Sequence, residues 1–213
     1  MGAASLEGRA FFAGGASSNM NSDNKCANVE VYNSTLTRTA ATNLSVARYY
    51  PLTATIGSRV LFAGGTGNTI TKVVDVYSTS LTRTAAADLS RPTSGDASTV
   101  VGNYAIFTSD GNTSCDVYNA SLTKTTVTLL SVARVNMSAG TVGDYALFAG
   151  GGTNSPYSDV VDACDTSLTR TTVTTLDYPR SGLSSATVGD YLLFAGGRID
   201  SENYSSDVFV YTA

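Results

Sequence analysis

The chain has 213 residues, a formal net charge of −4, a pI near 4.7 and only 13 Lys or Arg. A nucleic-acid partner needs a concentrated basic surface to displace phosphate counterions, and an anionic membrane surface needs the same, so both are argued against. No apolar run approaches the ~20 residues that cross a bilayer.

Repeat-like sequence begins almost at once, in Ala4-Ser5-Leu6-Glu7-Gly8-Arg9, leaving no room for a charged start followed by an apolar stretch. The expectation is synthesis in the cytoplasm without Sec export, with the final location open. Three scattered cysteines agree with this. Cys115 and Cys164 fall at positions that are Val or Tyr in sister segments and are expected to be buried thiols. Cys26 falls in a polar loop.

Along the chain one pattern keeps returning. An apolar segment ends in Phe12-Ala13-Gly14-Gly15, and the same ending recurs at Phe62, Phe148 and Phe194. Around Phe107 it becomes Phe107-Thr108-Ser109-Asp110-Gly111. An apolar-acidic-apolar segment then closes at Tyr32, Tyr77, Tyr118, Cys164 and Tyr211. Leu-Thr-Arg-Thr follows at Leu36, Leu81 and Leu168, with a Lys variant at Leu122. The repeats span about 2–44, 45–89, 90–130, 131–176 and 177–213.

Spacing separates frame from insertion. From the Tyr or Cys marker to Arg38, Arg83, Lys124 or Arg170 is 6 residues, from there to Leu44, Leu89, Leu130 or Leu176 is 6, and from that Leu to the next Phe is 18. From Phe to Tyr, by contrast, the separations are 20, 15, 11, 16 and 17. All length variation therefore sits in one connection per repeat.

Each repeat reads as four short strands, a to d. Strand a is small, as in Ser138-Ala139-Gly140-Thr141-Val142, and a turn such as Gly143-Asp144 suits a type II′ hairpin. Strand b (Tyr145-Ala146-Leu147-Phe148-Ala149) is nearly all apolar, as expected when both faces are covered. Strand c (Val74-Asp75-Val76-Tyr77) follows the variable loop, and strand d (Thr82-Arg83-Thr84-Ala85) alternates like a half-exposed outer strand. Four antiparallel strands per 41 to 50 residues predict one all-β domain, a five-bladed propeller of four-stranded blades. The fifth copy stops at Asp207-Val208-Phe209-Val210-Tyr211-Thr212-Ala213, so the last blade is expected to lack its outer strand.

The Gly-Gly after an apolar strand, the Tyr some 15 residues on and the Pro179-Arg180 or Ala-Arg lead-in together resemble the kelch repeat. The fifth copy resembles it most, in Tyr178-Pro179-Arg180-Ser181-Gly182 and Tyr191-Leu192-Leu193-Phe194-Ala195-Gly196-Gly197. The kelch Trp is Thr39, Thr84, Thr125 and Thr171 here. The repeats also look like those of bacterial and bacteriophage tail-associated proteins, which implies a virion-associated setting.

With no histidine, Ser-His-Asp and Cys-His catalysis are excluded, and so is the His-ligated copper site of the enzymes that resemble galactose oxidase. No metal or other cofactor is expected. Only Glu7, Glu30 and Glu202 are glutamates, and Asp75, Asp116 and Asp162 recur with the repeat as structural acids do. A non-enzymatic chain is expected; a sugar-converting enzyme built on a non-periodic acid such as Glu202 is the remote alternative.

The variable b–c loops (residues 16–28, 66–72, 152–158 and 198–206) and the d–a crossovers share one face, and loop diversity on a rigid frame is how binding sites are built. Arg48, Arg134 and Arg180 recur four residues after the reference Leu, with Thr93 in the third copy. By resemblance to peptide-binding kelch propellers, Tyr49, Ser94, Val135, Ser181, Thr66, Gly152 and Arg198 would ring a channel mouth; the three arginines would either hydrogen-bond to neighbouring-blade carbonyls or form a cluster that favours acidic peptides or sugars. The leading expectation is a module recognising protein or carbohydrate. The second is an assembly protein whose open strand, Val208, Phe209, Val210 and Tyr211, pairs with another chain, a second copy included.

Overall fold

In a computed structural model that describes residues 1–17, 24–152 and 156–213, the chain is all-β. Parts of two b–c loops, residues 18–23 and 153–155, lie outside the described residues. The first repeat supplies β1 (Gly2–Leu6), β2 (Arg9–Ala13), β3 (Val29–Tyr32) and β4 (Arg38–Ala40). The second supplies β5 (Leu52–Ile56), β6 (Arg59–Ala63), β7 (Val74–Tyr77) and β8 (Arg83–Ala85). In the third are β9 (Ser98–Val101), β10 (Tyr104–Thr108), β11 (Ser114–Asn119) and β12 (Lys124–Thr128). The fourth holds β13 (Ser138–Val142), β14 (Tyr145–Ala149), β15 (Val161–Asp165) and β16 (Arg170–Thr172). The fifth has β17 (Ser184–Val188), β18 (Tyr191–Ala195) and β19 (Val208–Thr212). Each repeat is one antiparallel sheet with its strands in chain order, four-stranded in the first four copies and three-stranded in the last.

Local chemistry sets the turns. Gly57, Gly102, Gly143 and Gly189 have φ between 51° and 54°, as the first residue of a II′ turn requires. In the first repeat Glu7 and Gly8 are both left-handed, the I′ pattern. The c–d turn is less expected: Leu36, Leu81, Leu122 and Leu168 all sit at φ 60° to 63°, where a side chain costs about 1–2 kcal/mol. Side-chain oxygens brace this turn, with Asn33 Oδ1 accepting from the N–H groups of Thr35 and Thr37 and Asp165 Oδ1 from those of Ser167 and Thr169.

The chain divides into two compact units, residues 1–95 with 118–124 and residues 96–117 with 125–213. In the first, Val60, Phe62 and Tyr77 lie in one cluster with Phe11, Val29 and Val31 of the preceding sheet, and Leu81 joins them from its turn. In the second, Leu192 and Phe194 cover Leu147, Ala149, Val161 and Ala163 in the same way. Strand a is small and polar because its hydroxyls tie neighbouring sheets: Thr53 and Thr55 donate to the Ala3 and Ser5 carbonyls, and Ser185 and Thr187 to those of Ala139 and Thr141.

Cys115 and Cys164 are buried in a shared cluster with Ile106, Val117 and Phe148. Burial pushes both thiols up to about 12 from an ordinary 9.0, which removes the reactive thiolate at neutral pH. Cys26 is partly exposed. Titration of the native protein with a thiol reagent at pH 8 is expected to label one cysteine promptly, and all three only after denaturation. Prompt labelling of three would contradict this packing.

Candidate functional site

The in-register arginines turn inward. Arg48 is fully buried, donates to the Phe62 carbonyl at 3.0 Å and pairs with Asp75 at 2.8 Å. Arg83 pairs with the second oxygen of Asp75, and Ser45 caps the carboxylate with its N–H and hydroxyl. In the second unit Arg134 donates to the Phe148 and Gly150 carbonyls and to Asp162, while Arg170 and the Ser131 N–H complete that acid's partners. Arg180 is equally buried; Phe209 replaces the acid, its ring 4.5 Å below the guanidinium, and Asp207 accepts from the side at 3.4 Å. Desolvation pulls the Arg48 pKa down and Asp75 opposes it. Of the two readings the sequence left open for these arginines, an acidic ligand and blade carbonyls, the geometry has the second: they lock each crossover onto the blade it enters. In the third repeat buried Thr93 takes the arginine's place.

The Gly-Gly pairs serve the same joint. The second glycine's N–H donates to the carbonyl of the next crossover, Gly15 to Arg48, Gly65 to Thr93 and Gly151 to Arg180, each at 2.8 Å. A Cβ on the first glycine would stand 2.3 to 2.6 Å from that same carbonyl oxygen at Gly14, Gly64 and Gly150, all with φ near 65°.

The residues after these anchors come together in two rows, one in each unit. In the first, Tyr49 and Thr66 exchange backbone hydrogen bonds, and the Thr66 hydroxyl meets that of Ser94 at 2.7 Å. In the second, Gly152 N–H donates to Val135, the Ser181 hydroxyl donates to the Gly152 carbonyl, and Ser181 and Arg198 pair by backbone. Arg198 folds into its own loop, donating to the Asp200 and Ser201 carbonyls with its guanidinium 5.9 Å from the Tyr204 ring centroid. The predicted loop residues thus form continuous hydrogen-bonded rims, more occupied with each other than the sequence suggests.

Two depressions adjoin on the loop side of the second unit. One, of about 480 Å3, lies between Val132, Ala133 and Val135 of a crossover and Gly152, Tyr157 and Asp159 of a b–c loop. The other, of about 270 Å3, is lined by Pro156, Tyr157, Tyr178, Pro179, Ile199 and Asp200. Pro156 and Tyr157 wall both. Of their lining, Tyr178 is 65% exposed and Ile199 37%. Asp200 is held below the usual carboxylate range by hydrogen bonds from the Asn203 side chain and the Glu202 and Asn203 N–H groups, so it presents a fixed negative charge. The signal for this aromatic patch lies in the sequence: Tyr178 has no counterpart in the other repeats, and Tyr157 is matched in register only by Tyr204.

No family model matches the sequence, and no curated protein matches it. A solved structure titled "Structure of YjhT" matches with a TM-score of 0.75 at 15% identity, covering 99% of this chain and 80% of that one. With five consecutive blade-like sheets, that match settles the architecture. The fold is a five-bladed β-propeller. Its last blade has three strands.

Proposed function

We propose that the protein is a non-catalytic recognition module of kelch-like type, taking a protein or carbohydrate ligand on its b–c and d–a loops. One observation carries this reading: Tyr157, exposed Tyr178 and Ile199 line two adjoining loop depressions. Solvent-exposed aromatics of this kind offer flat apolar faces for sugar rings or peptide side chains at low entropic cost. Backbone carbonyls and the charge of Asp200 supply polar contacts beside them. The buried arginines contribute rigidity to this site, and acidic ligands lose the preference that an exposed arginine cluster would have given. The acids of strand c support the non-enzymatic reading, since Asp75 and Asp162 are engaged in buried ion pairs.

A glycan array and a peptide array probed with the native chain test this directly. Binding to at least one class is expected, weakened about tenfold or more by Tyr178→Ala and by Tyr157→Ala, as loss of an aromatic anchor does. Specific binding that survives both changes would move the site elsewhere, and detectable turnover of a bound sugar would overturn the non-catalytic reading.

A further inference from the structure

The two loop depressions of the second unit are one feature repeated. Each lies between a d–a crossover and the b–c loop of the blade that the crossover enters. Val132 and Ala133 face Tyr157 and Asp159 in the one, and Tyr178 and Pro179 meet Ile199 and Asp200 in the other. The first unit repeats the arrangement with Val46 and Ala47 beside Gly67, Thr69 and Thr71, around a depression of about 390 Å3. Val46, Val132 and Tyr178 each stand two residues after the reference Leu, and all three are exposed. The crossover therefore presents an apolar wall at the same place in three repeats. In the second unit Pro156 and Tyr157 wall both depressions, so a ligand chain lying in one continues into the other.

The hydrogen-bonding groups along this track are unbalanced. Pro156 and Pro179 have no N–H. The N–H groups of Gly152, Ser158 and Ile199 are already given to the Val135, Gly151 and Asn203 carbonyls. Three charged residues line the pair, Arg134, Asp159 and Asp200. Arg134 is buried, with its guanidinium spent on Asp162 and on the Phe148 and Gly150 carbonyls. Arg198 lines neither depression and donates to the Asp200 and Ser201 carbonyls. The charge left facing the track is negative, at Asp159 and at Asp200, whose carboxylate Glu202 and Asn203 hold in place.

A sugar ring asks for donors and acceptors together, and an acidic ligand asks for donors. A lysine or arginine side chain only donates, and its stem or guanidinium face packs on tyrosine. The acidic character is not a general property of the repeat: the first unit's depression is lined by Lys25, which donates to Asn68 Oδ1 at 3.2 Å.

We propose, resting on the recognition reading above, that the ligand of these two depressions is an extended basic peptide. One lysine or arginine side chain sets against Asp159 and Tyr157, and a second, across the Pro156–Tyr157 wall, against Asp200 and Tyr178.

The probe that tests this is a fluorescein-labelled peptide of five Arg-Gly pairs, titrated into the native chain by anisotropy beside a twin with Glu in place of Arg. Saturable binding of the basic peptide is expected, about tenfold or more tighter than that of its twin. Asp159→Asn and Asp200→Asn should each weaken it about threefold at low salt, an effect that fades as salt screens the pair. Asparagine keeps the acceptor oxygen that holds the Asp200 loop, and unchanged melting midpoints check that the fold is intact. Tyr178→Ala should weaken binding about tenfold. No binding at millimolar peptide, or equal binding of the acidic twin, overturns the basic-ligand assignment. Binding that is lost with Tyr178→Ala yet indifferent to both aspartates also overturns it, while leaving the recognition surface standing for a neutral ligand such as a glycan. Indifference to Tyr178→Ala and to both aspartates would defeat the assignment and the recognition site together.

Discussion

Gly150→Ala is expected to destabilise the chain by about 3–5 kcal/mol, among the largest effects a single methyl group can have. The new Cβ would stand 2.5 Å from Leu183 Cδ1 and 2.6 Å from the Arg180 carbonyl oxygen, and φ at this residue is 65°. Left-handed backbone alone accounts for about 1–2 kcal/mol. The remainder comes from displacing a crossover whose carbonyl accepts from Gly151 and whose arginine is wholly buried. Gly196 is the internal control. Its φ is 68°, yet the nearest atom to an added methyl is the Ser205 carbonyl oxygen at 3.5 Å. Gly196→Ala should therefore show only the backbone cost of about 1–2 kcal/mol. Thermal melts compare the two, and at about 2–4 °C per kcal/mol the midpoints should separate by several degrees. Equal midpoints would mean that the Gly-Gly motif is conformational only, without the steric role assigned to it.

Asp162→Ala should be comparably severe, at about 3–5 kcal/mol, because it strands Arg134 in the interior with its charge unmatched. The carboxylate accepts from Arg134 at 2.9 Å and from the Ser131 N–H at 3.0 Å, and neither ionic partner's place is open to water. Arg170 meets the same acid from a side chain that is one-third exposed. Its removal should cost under about 1 kcal/mol. A double change, Arg134→Met with Asp162→Leu, should recover much of the loss, since apolar replacement of a whole buried pair is often tolerated. Urea unfolding of the three variants checks the order. If Arg170→Ala proves as harmful as Asp162→Ala, the weight placed on the buried partner is misplaced.

Much of this architecture is legible in the residues. The strand a, b and c segments written from spacing coincide with β13, β14 and β7, because a buried strand and a two-residue glycine turn leave little freedom in register. The three strands of the last sheet are legible too, since its a, b and c segments fall in the same register as in the other copies. What the residues did not disclose was direction. Arg48, Arg134 and Arg180 recur in register whether they point to solvent or to the core, and the partner that decides lies 27 or 28 residues onward, at Asp75 and Asp162. Their joint presence in repeats two and four was the available clue. The aromatic patch around Tyr178 escaped for the opposite reason, because repeat comparison rewards what recurs in most copies, whereas Tyr178 occurs in one and Tyr157 is matched only by Tyr204.

The glycine-to-carbonyl joints also carry a kinetic meaning. Each links residues about 30 apart, 33 from Gly15 to Arg48, 28 from Gly65 to Thr93 and 29 from Gly151 to Arg180. A loop is thus joined to the crossover before it, as Thr66 is to Tyr49 and Gly152 to Val135, and fastened again when the following crossover is made. Folding on the ribosome would then proceed by short relays, each new segment fastening the one before it, with entropic loop costs that stay small at every step. Such a chain can lengthen or shorten its loops between joints without rewriting the order in which it assembles.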